Sequence, residues 1–166
     1  DFPSGDVRLW SGSGLLTSPT GSSVITNGGF TGNLDGWTVV TFGTGTVTYS
    51  NNAAVLTAGA GFSNRVFIHQ SFDTIAGKKY AIKLNTSGIQ LRVRVRNALT
   101  NADILPLTYY DAGTNTIFFT ATSSRTNLHL RNQNEGTVTI DNATVFQTED
   151  YVGAGDLLSI SEIAES

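Results

Sequence analysis

The chain has 166 residues, no cysteine, no methionine and a formal net charge of −3. The missing thiols exclude disulfides, thiolate metal sites and thiol catalysis, and the acidic balance argues against nucleic acid as a partner. Glycine fills 18 positions and only 14% of residues are charged, the makeup of an all-β protein with many turns. No apolar run is long enough to span a bilayer, so membrane insertion is not expected, and no signal peptide is recognisable. The chain does not begin with Met, as expected of a processed chain or a piece of a longer one.

Residues 1–23 form an N-terminal flank. Val7, Leu9, Trp10, Leu15 and Leu16 are apolar, and the segment from Thr17 to Ser23 is rich in Gly, Ser, Thr and Pro. That composition reads as a linker, with a domain boundary near residue 23. A short strand then leads into Asn27-Gly28-Gly29, where adjacent glycines suit a turn with positive φ. Phe30 and Trp37 follow as two large rings that plug a core.

From residue 38 onward, strand signals alternate with turn signals at the spacing of a sandwich. They are Thr38 to Tyr49, Ala53 to Leu56, Val66 to Phe72, Tyr80 to Leu84, Leu91 to Arg96, Thr116 to Thr120, Asn127 to Arg131 and Thr137 to Val145. No stretch holds a helical period with caps. Residues 24–147 therefore read as one antiparallel β-sandwich.

The pieces Ile25 to Phe30, Gly36-Trp37, Ala54-Val55-Leu56, Gln70-Ser71-Phe72, Ala76 to Tyr80 and Thr139 to Val145 come in an order that resembles carbohydrate-binding modules of the family 4/9/22 type. That resemblance implies a galactose-binding-like jelly roll. In such modules a Glu directly after the opening Phe joins the closing Asp at a structural Ca²⁺. Here Asp141 stands at the closing position and Thr31 at the opening one. Asp141 is thus a candidate Ca²⁺ ligand by resemblance, or a carboxylate satisfied by loop amides, since a hard cation wants several oxygens including carboxylates. No other cofactor is expected.

Residues 148–166 form an acidic C-terminal flank in which Leu157, Leu158, Ile160 and Ile163 are apolar. Arg8 to Gly12 and Tyr151 to Ser161 together resemble one segment of tail-associated structural proteins of bacteriophages. The two flanks then belong to one parent domain, and the jelly roll is inserted into a hairpin loop of a virion protein. Such insertion suits domains whose termini lie close together. Trp10, Leu15, Leu157, Leu158 and Ile160 are too apolar to remain solvated tails, so the flanks are expected to pack on each other or on a neighbouring chain.

Catalysis has no constellation to rest on. The chain has two histidines, His69 and His129, both inside strand signals, and no serine in a nucleophile-elbow context. Asp103 and Asp111 fall near expected loops and give no facing carboxylate pair for glycoside hydrolysis. The reading is that the chain is not an enzyme.

Binding has a better case. Period-two alternation places Leu91, Val93 and Val95 on one face of their strand and Arg92, Arg94 and Arg96 on the other. Asn127, His129 and Arg131 likewise oppose Leu128 and Leu130. If the two strands share a sheet, their polar faces make one strip. It is either a solvated face that guards against aggregation or a site for carboxylate or phosphate groups, which arginine grips through a planar fork. Tyr109-Tyr110, just before a turn at Asp111 to Gly113, could supply a ring on which a sugar stacks, with Tyr110 the candidate or else a core or edge residue. The expected function is attachment of a virion to surface polysaccharide or lipopolysaccharide, with the flanks meeting other virion proteins or copies of the chain. The alternatives are a structural sandwich that decorates or braces the assembly without a glycan, and a binding module of a secreted carbohydrate-active enzyme.

Overall fold

Alternation of apolar and polar residues builds the molecule. In Leu91–Asn97 every second side chain is buried, with an arginine in each gap. Val66–Asp73 repeats the pattern with Val66, Ile68, Gln70 and Phe72 inside. A strand so written presents an apolar face to one side and a polar face to the other, and two sheets of such strands close over a core.

The structure, a computed structural model, describes residues 17–150. Its strands are β1 (Thr17–Thr20), β2 (Thr38–Thr41), β3 (Thr46–Tyr49), β4 (Ala54–Ala58), β5 (Val66–Asp73), β6 (Lys79–Gly88), β7 (Leu91–Asn97), β8 (Asp103–Tyr110), β9 (Gly113–Thr120), β10 (Arg125–Asn132) and β11 (Gly136–Asp150). The front sheet has the order β2-β5-β10-β7-β8. The back sheet has the order β3-β4-β11-β6-β9, with β1 added on β11. Every pairing is antiparallel. The helical content among the described residues is a single 3₁₀ turn, Phe62–Asn64. The all-β sandwich expected from the sequence is the fold.

Phe30 and Trp37 lie in the core with their rings stacked, centroids 5.5 Å apart. The loop that carries them differs in detail from expectation. Residues 24–30 form no strand; Val24 donates one backbone bond to the Val145 carbonyl at 2.8 Å. Positive φ falls on Asn27 (50°) and Phe30 (48°), while Gly28 is needed for room. A Cβ at Gly28 would sit 1.8 Å from the Ala143 carbonyl oxygen, against which the loop is laid. Asn27 supports its own conformation by donating to the Asn33 and Asp35 carbonyls and accepting from the Thr31 amide.

Other sequence expectations are also revised. Thr38 to Tyr49 is two strands on different sheets, separated by a turn in which the Gly45 amide donates to the Phe42 carbonyl. Strand β8 stands where only loops and a turn were expected. It is an edge strand without regular burial alternation and it contains Pro106, the position at which a sheet tolerates proline. Thr17–Thr20, read as linker, is a strand paired with Gln147–Asp150. The expectations for Trp10, Leu15, Leu157, Leu158, Ile160 and both phage-like segments lie outside the described residues.

Candidate functional site

The front sheet carries the polar faces of β5, β10 and β7 side by side. Backbone register sets them in rungs: Phe67, Arg131 and Arg92; then His69, His129 and Arg94; then Ser71, Asn127 and Arg96. Val40 of β2 extends the first rung on one side and Tyr109 of β8 extends it on the other. The strip expected from β7 and β10 is therefore one continuous surface, three strands wide at its centre.

Stacking holds these side chains. The His129 ring lies on the Phe67 ring, centroids 4.2 Å apart, and the Arg131 guanidinium sits 5.4 Å from the centre of the same ring. Arg131 Nε donates to His129 Nε2 at 3.2 Å, which places the ring proton of His129 on Nδ1. Arg92 covers the Tyr109 ring at 4.5 Å. Arg65, at the start of β5, is clamped between Phe42 at 3.8 Å and Phe62 at 3.9 Å. Guanidinium over an aromatic face is a favourable pairing that leaves the charge in place.

Charge on this face is poorly compensated. Arg65, Arg92, Arg94, Arg96 and Arg131 gather there, and Asp103 is the carboxylate that pairs with one of them, Arg94, at 2.7 Å. The Nε atoms of Arg65, Arg92 and Arg96 are buried without a hydrogen-bond partner among the described residues. Burial lowers the pKa of His129 to about 3, helped by Arg131, Arg96, His69 and Arg94. Burial and then Arg96 push His69 below its usual value. Burial and the neighbouring arginines bring Arg131 down to about 10. Both imidazoles are thus neutral at pH 7, while Arg131 keeps its charge.

Five of the sequence-derived candidates, Arg92, Arg94, Arg96, His129 and Arg131, come together on this face. Tyr110 does not. It packs against the core, and its neighbour Tyr109 takes the place beside Arg92. Adjacent residues of a strand face opposite ways, so choosing between two tyrosines required the register of β8. Phe67, His69, Arg65 and Phe42 were missed as site residues. The alternation of Val66 to Phe72 contains the signal for Phe67 and His69, but not which strand lies beside it.

Asp141 lies apart from this face, exposed at a register shift of β11 between Ile140 and Asn142. Its carboxylate takes no hydrogen bond among the described residues, so the loop amides do not satisfy it. No group of three or more His, Cys, Asp or Glu side chains among those residues could hold a metal ion. A cation at Asp141 would have to rest chiefly on neutral oxygens, a poor fit to the carboxylate-rich shells that hard cations take.

No protein-family model matches the chain. No curated protein matches it either. Solved structures do. TmCBM61 in complex with β-1,4-galactotriose superposes with a TM-score of 0.57 at 13% identity, over 76% of this chain and 99% of that one. A family 29 carbohydrate-binding module complexed with cellulohexaose gives 0.50 at 12% identity, over 80% and 92%. The enzymatically active domain of bacteriophage CBA120 tailspike protein 4 gives 0.56 at 15% identity, over 75% of this chain and 21% of that one. The chain thus spans about a fifth of the tailspike domain. The fold is that of carbohydrate-binding modules. At these identities the likeness extends to the fold alone.

Proposed function

We propose that the chain is a non-catalytic glycan-binding module, and that the polar face of its front sheet docks an acidic surface polysaccharide. One observation carries this reading: five arginines share a sheet face with stacked aromatic rings, while among the described residues one carboxylate, Asp103, pairs with one of them, Arg94. A merely solvated face needs neither the rings nor the uncompensated charge. Rings offer flat apolar surface for sugar faces, and guanidiniums offer paired donors for carboxylate, sulfate or phosphate groups. Successive arginines of β7 stand about 6.6–6.8 Å apart along an ideal strand, an interval at which an extended polymer can present repeated charges.

The carrier we propose is a bacteriophage tail protein, which places the module on the virion, outside the cell, with polysaccharide or lipopolysaccharide as its target. Support comes from the flank segments that resemble tail proteins and from the pairing of Thr17 with Asp150. That pairing sets the two ends of the sandwich side by side, as insertion into a hairpin loop of the carrier requires. The flanks are then the contacts to other virion proteins or to copies of the chain.

Affinity electrophoresis in gels containing polygalacturonate, neutral β-1,4-galactan or no polymer tests the reading. Retardation by polygalacturonate that weakens as salt rises is expected. Folded protein that migrates alike in all gels would leave the sandwich as a structural or decorating element. Equal affinity for single-stranded DNA of matched charge would show that charge alone selects the partner, and the glycan reading would fall.

A further inference from the structure

At one end of the arginine strip the surface dips into a cleft of about 350 Å³, at the small end of the range for ligand sites. His69 and Ser71 of β5, Asn127 of β10, Arg96 of β7, and Ala98 and Asn101 beyond β7 line it. None of its described lining residues is acidic. Asp103 is the register partner of Arg96, yet its carboxylate is turned to Arg94, and the buried Arg96 Nε has no hydrogen-bond partner among the described residues.

Asn127 arranges the remaining donors. Its amide nitrogen bonds His69 Nδ1 at 3.1 Å and Ser71 Oγ at 3.0 Å. An amide nitrogen only donates, so His69 Nδ1 accepts and the ring proton sits on Nε2. Ser71 Oγ is used as an acceptor there, which leaves its hydroxyl hydrogen to be given elsewhere. A guanidinium, an imidazole N–H and a hydroxyl thus line one small space.

We propose that this cleft is the specificity subsite of the glycan face, holding the single oxyanion of one acidic sugar residue (a carboxylate, or a sulfate or phosphate ester) on Arg96, His69 and Ser71. The assignment rests on the glycan-binding reading and deepens it. The rest of the polymer then runs along Arg94 and Arg92, where charge attracts without selecting.

The site also takes up a proton. The charged and titratable groups facing His69 are Arg94 and Arg96 on β7 and Arg125, His129 and Arg131 on β10. On its own strand there are Arg65, just before Val66, and Asp73, which is tied to Arg125 at 2.6 Å; β2 brings none. In the free protein burial, and then the charge of Arg96, keeps His69 neutral. An anion held beside the ring reverses that balance and favours imidazolium, so anion affinity rises as the pH falls below neutrality.

The test is a titration of the full chain, labelled with ¹⁵N and ¹³C, with sodium glucuronate, glucose 6-sulfate, glucose 6-phosphate, glucose and sodium chloride at constant ionic strength. At least one of the sugar acids should give saturable shifts centred on His69, Ser71, Arg96 and Asn127, with an upward move in the His69 titration. Which acid does so separates carboxylate from sulfate and phosphate. Glucose and chloride should give none. Arg96→Gln should weaken that acid about tenfold or more. Ala98→Phe, which fills the cleft without touching the donors, should abolish its binding, while Lys83→Gln on the back sheet leaves it unchanged. Unfolding curves identify any variant that fails to fold, and the wild-type titration does not depend on variants. Shifts spread evenly along the strip, or no saturable shifts, overturn the subsite. If polygalacturonate is still bound in that case, the glycan reading stands without it. If a sugar acid fills the cleft but no polymer binds, the subsite stands and the polysaccharide reading falls.

Discussion

Gln70 holds Thr26 by both of that residue's backbone groups. Its Oε1 accepts from the Thr26 amide at 2.6 Å, and its Nε2 donates to the Thr26 carbonyl at 2.9 Å. Gln70 sits on the core side of β5 and is 7% exposed, so water cannot replace it easily. The loop it grips carries Phe30 and Trp37 into the core. Gln70→Ala should therefore destabilise the fold by about 1–3 kcal/mol, the loss of two half-buried hydrogen bonds together with the buried side chain that makes them. Urea denaturation measures it, and a loss below half a kcal/mol, roughly the level of a neutral surface change, would mean the loop is held by its rings alone.

Gly28 and Gly29 should respond very differently to alanine. At Gly28 the new methyl would lie 1.8 Å from the Ala143 carbonyl oxygen, while at Gly29 the nearest atom is 3.7 Å away. Gly28→Ala must push the loop off β11 and strain the 2.8 Å bond from the Ala143 amide to the Gly28 carbonyl. A loss of about 2 kcal/mol or more is expected there, and less than about 1 kcal/mol at Gly29. Thermal unfolding of the two variants side by side decides the point.

Acid should weaken the fold through His129. Its pKa is about 3 when folded and returns to about 6.5 when unfolded. Between those values the unfolded chain binds the extra proton, so stability is full above about pH 6.5 and declines as the pH falls toward 3. His69 shifts in the same direction. The loss is of the order of a few kcal/mol. Urea midpoints at pH 7.5 and pH 5 should differ in wild type and differ much less in His129→Gln, which keeps an acceptor for Arg131.

Replacing Arg94 and Arg96 together by serine should reduce binding to polygalacturonate and flatten its dependence on salt. Each exposed charge contact contributes roughly 0–1 kcal/mol, so the proposed binding would be weak for a single module and would gain through effective concentration if many copies were displayed together. Affinity electrophoresis at low and moderate ionic strength provides the measurement. Binding that is unchanged, or indifferent to salt, would remove the arginine face from the mechanism.

Much of this architecture was legible because burial in a sandwich is written with period two. Leu91, Val93 and Val95 announced their face, and so did the three arginines between them. What escaped was whatever depends on neighbours across the sheet. Phe67 and His69 become site residues because β5 pairs with β10, a contact that no local pattern encodes. Tyr109 took the place of Tyr110 because β8 pairs it with Arg92, and a stretch with no burial alternation of its own does not say which of two adjacent rings faces out. Strand β8 itself was hidden by its edge position, where half-burial leaves no alternation to read.

The ladder between β1 and the end of β11 has a mechanical consequence. Thr17 faces Asp150 and Thr20 faces Gln147, so the two ends of the described stretch lie side by side. If the ends were pulled apart, the hydrogen bonds of this ladder would open one after another, like a zipper, under little force. If the chain acts as proposed, tension between a polymer on the front sheet and a carrier holding both ends would load the two strands in the same direction instead. The ladder is then not peeled, and the load passes into β11, which is bonded along its length to β4 and β6. An anchor held in this way resists being dragged by its ligand far better than it resists being spread at its base.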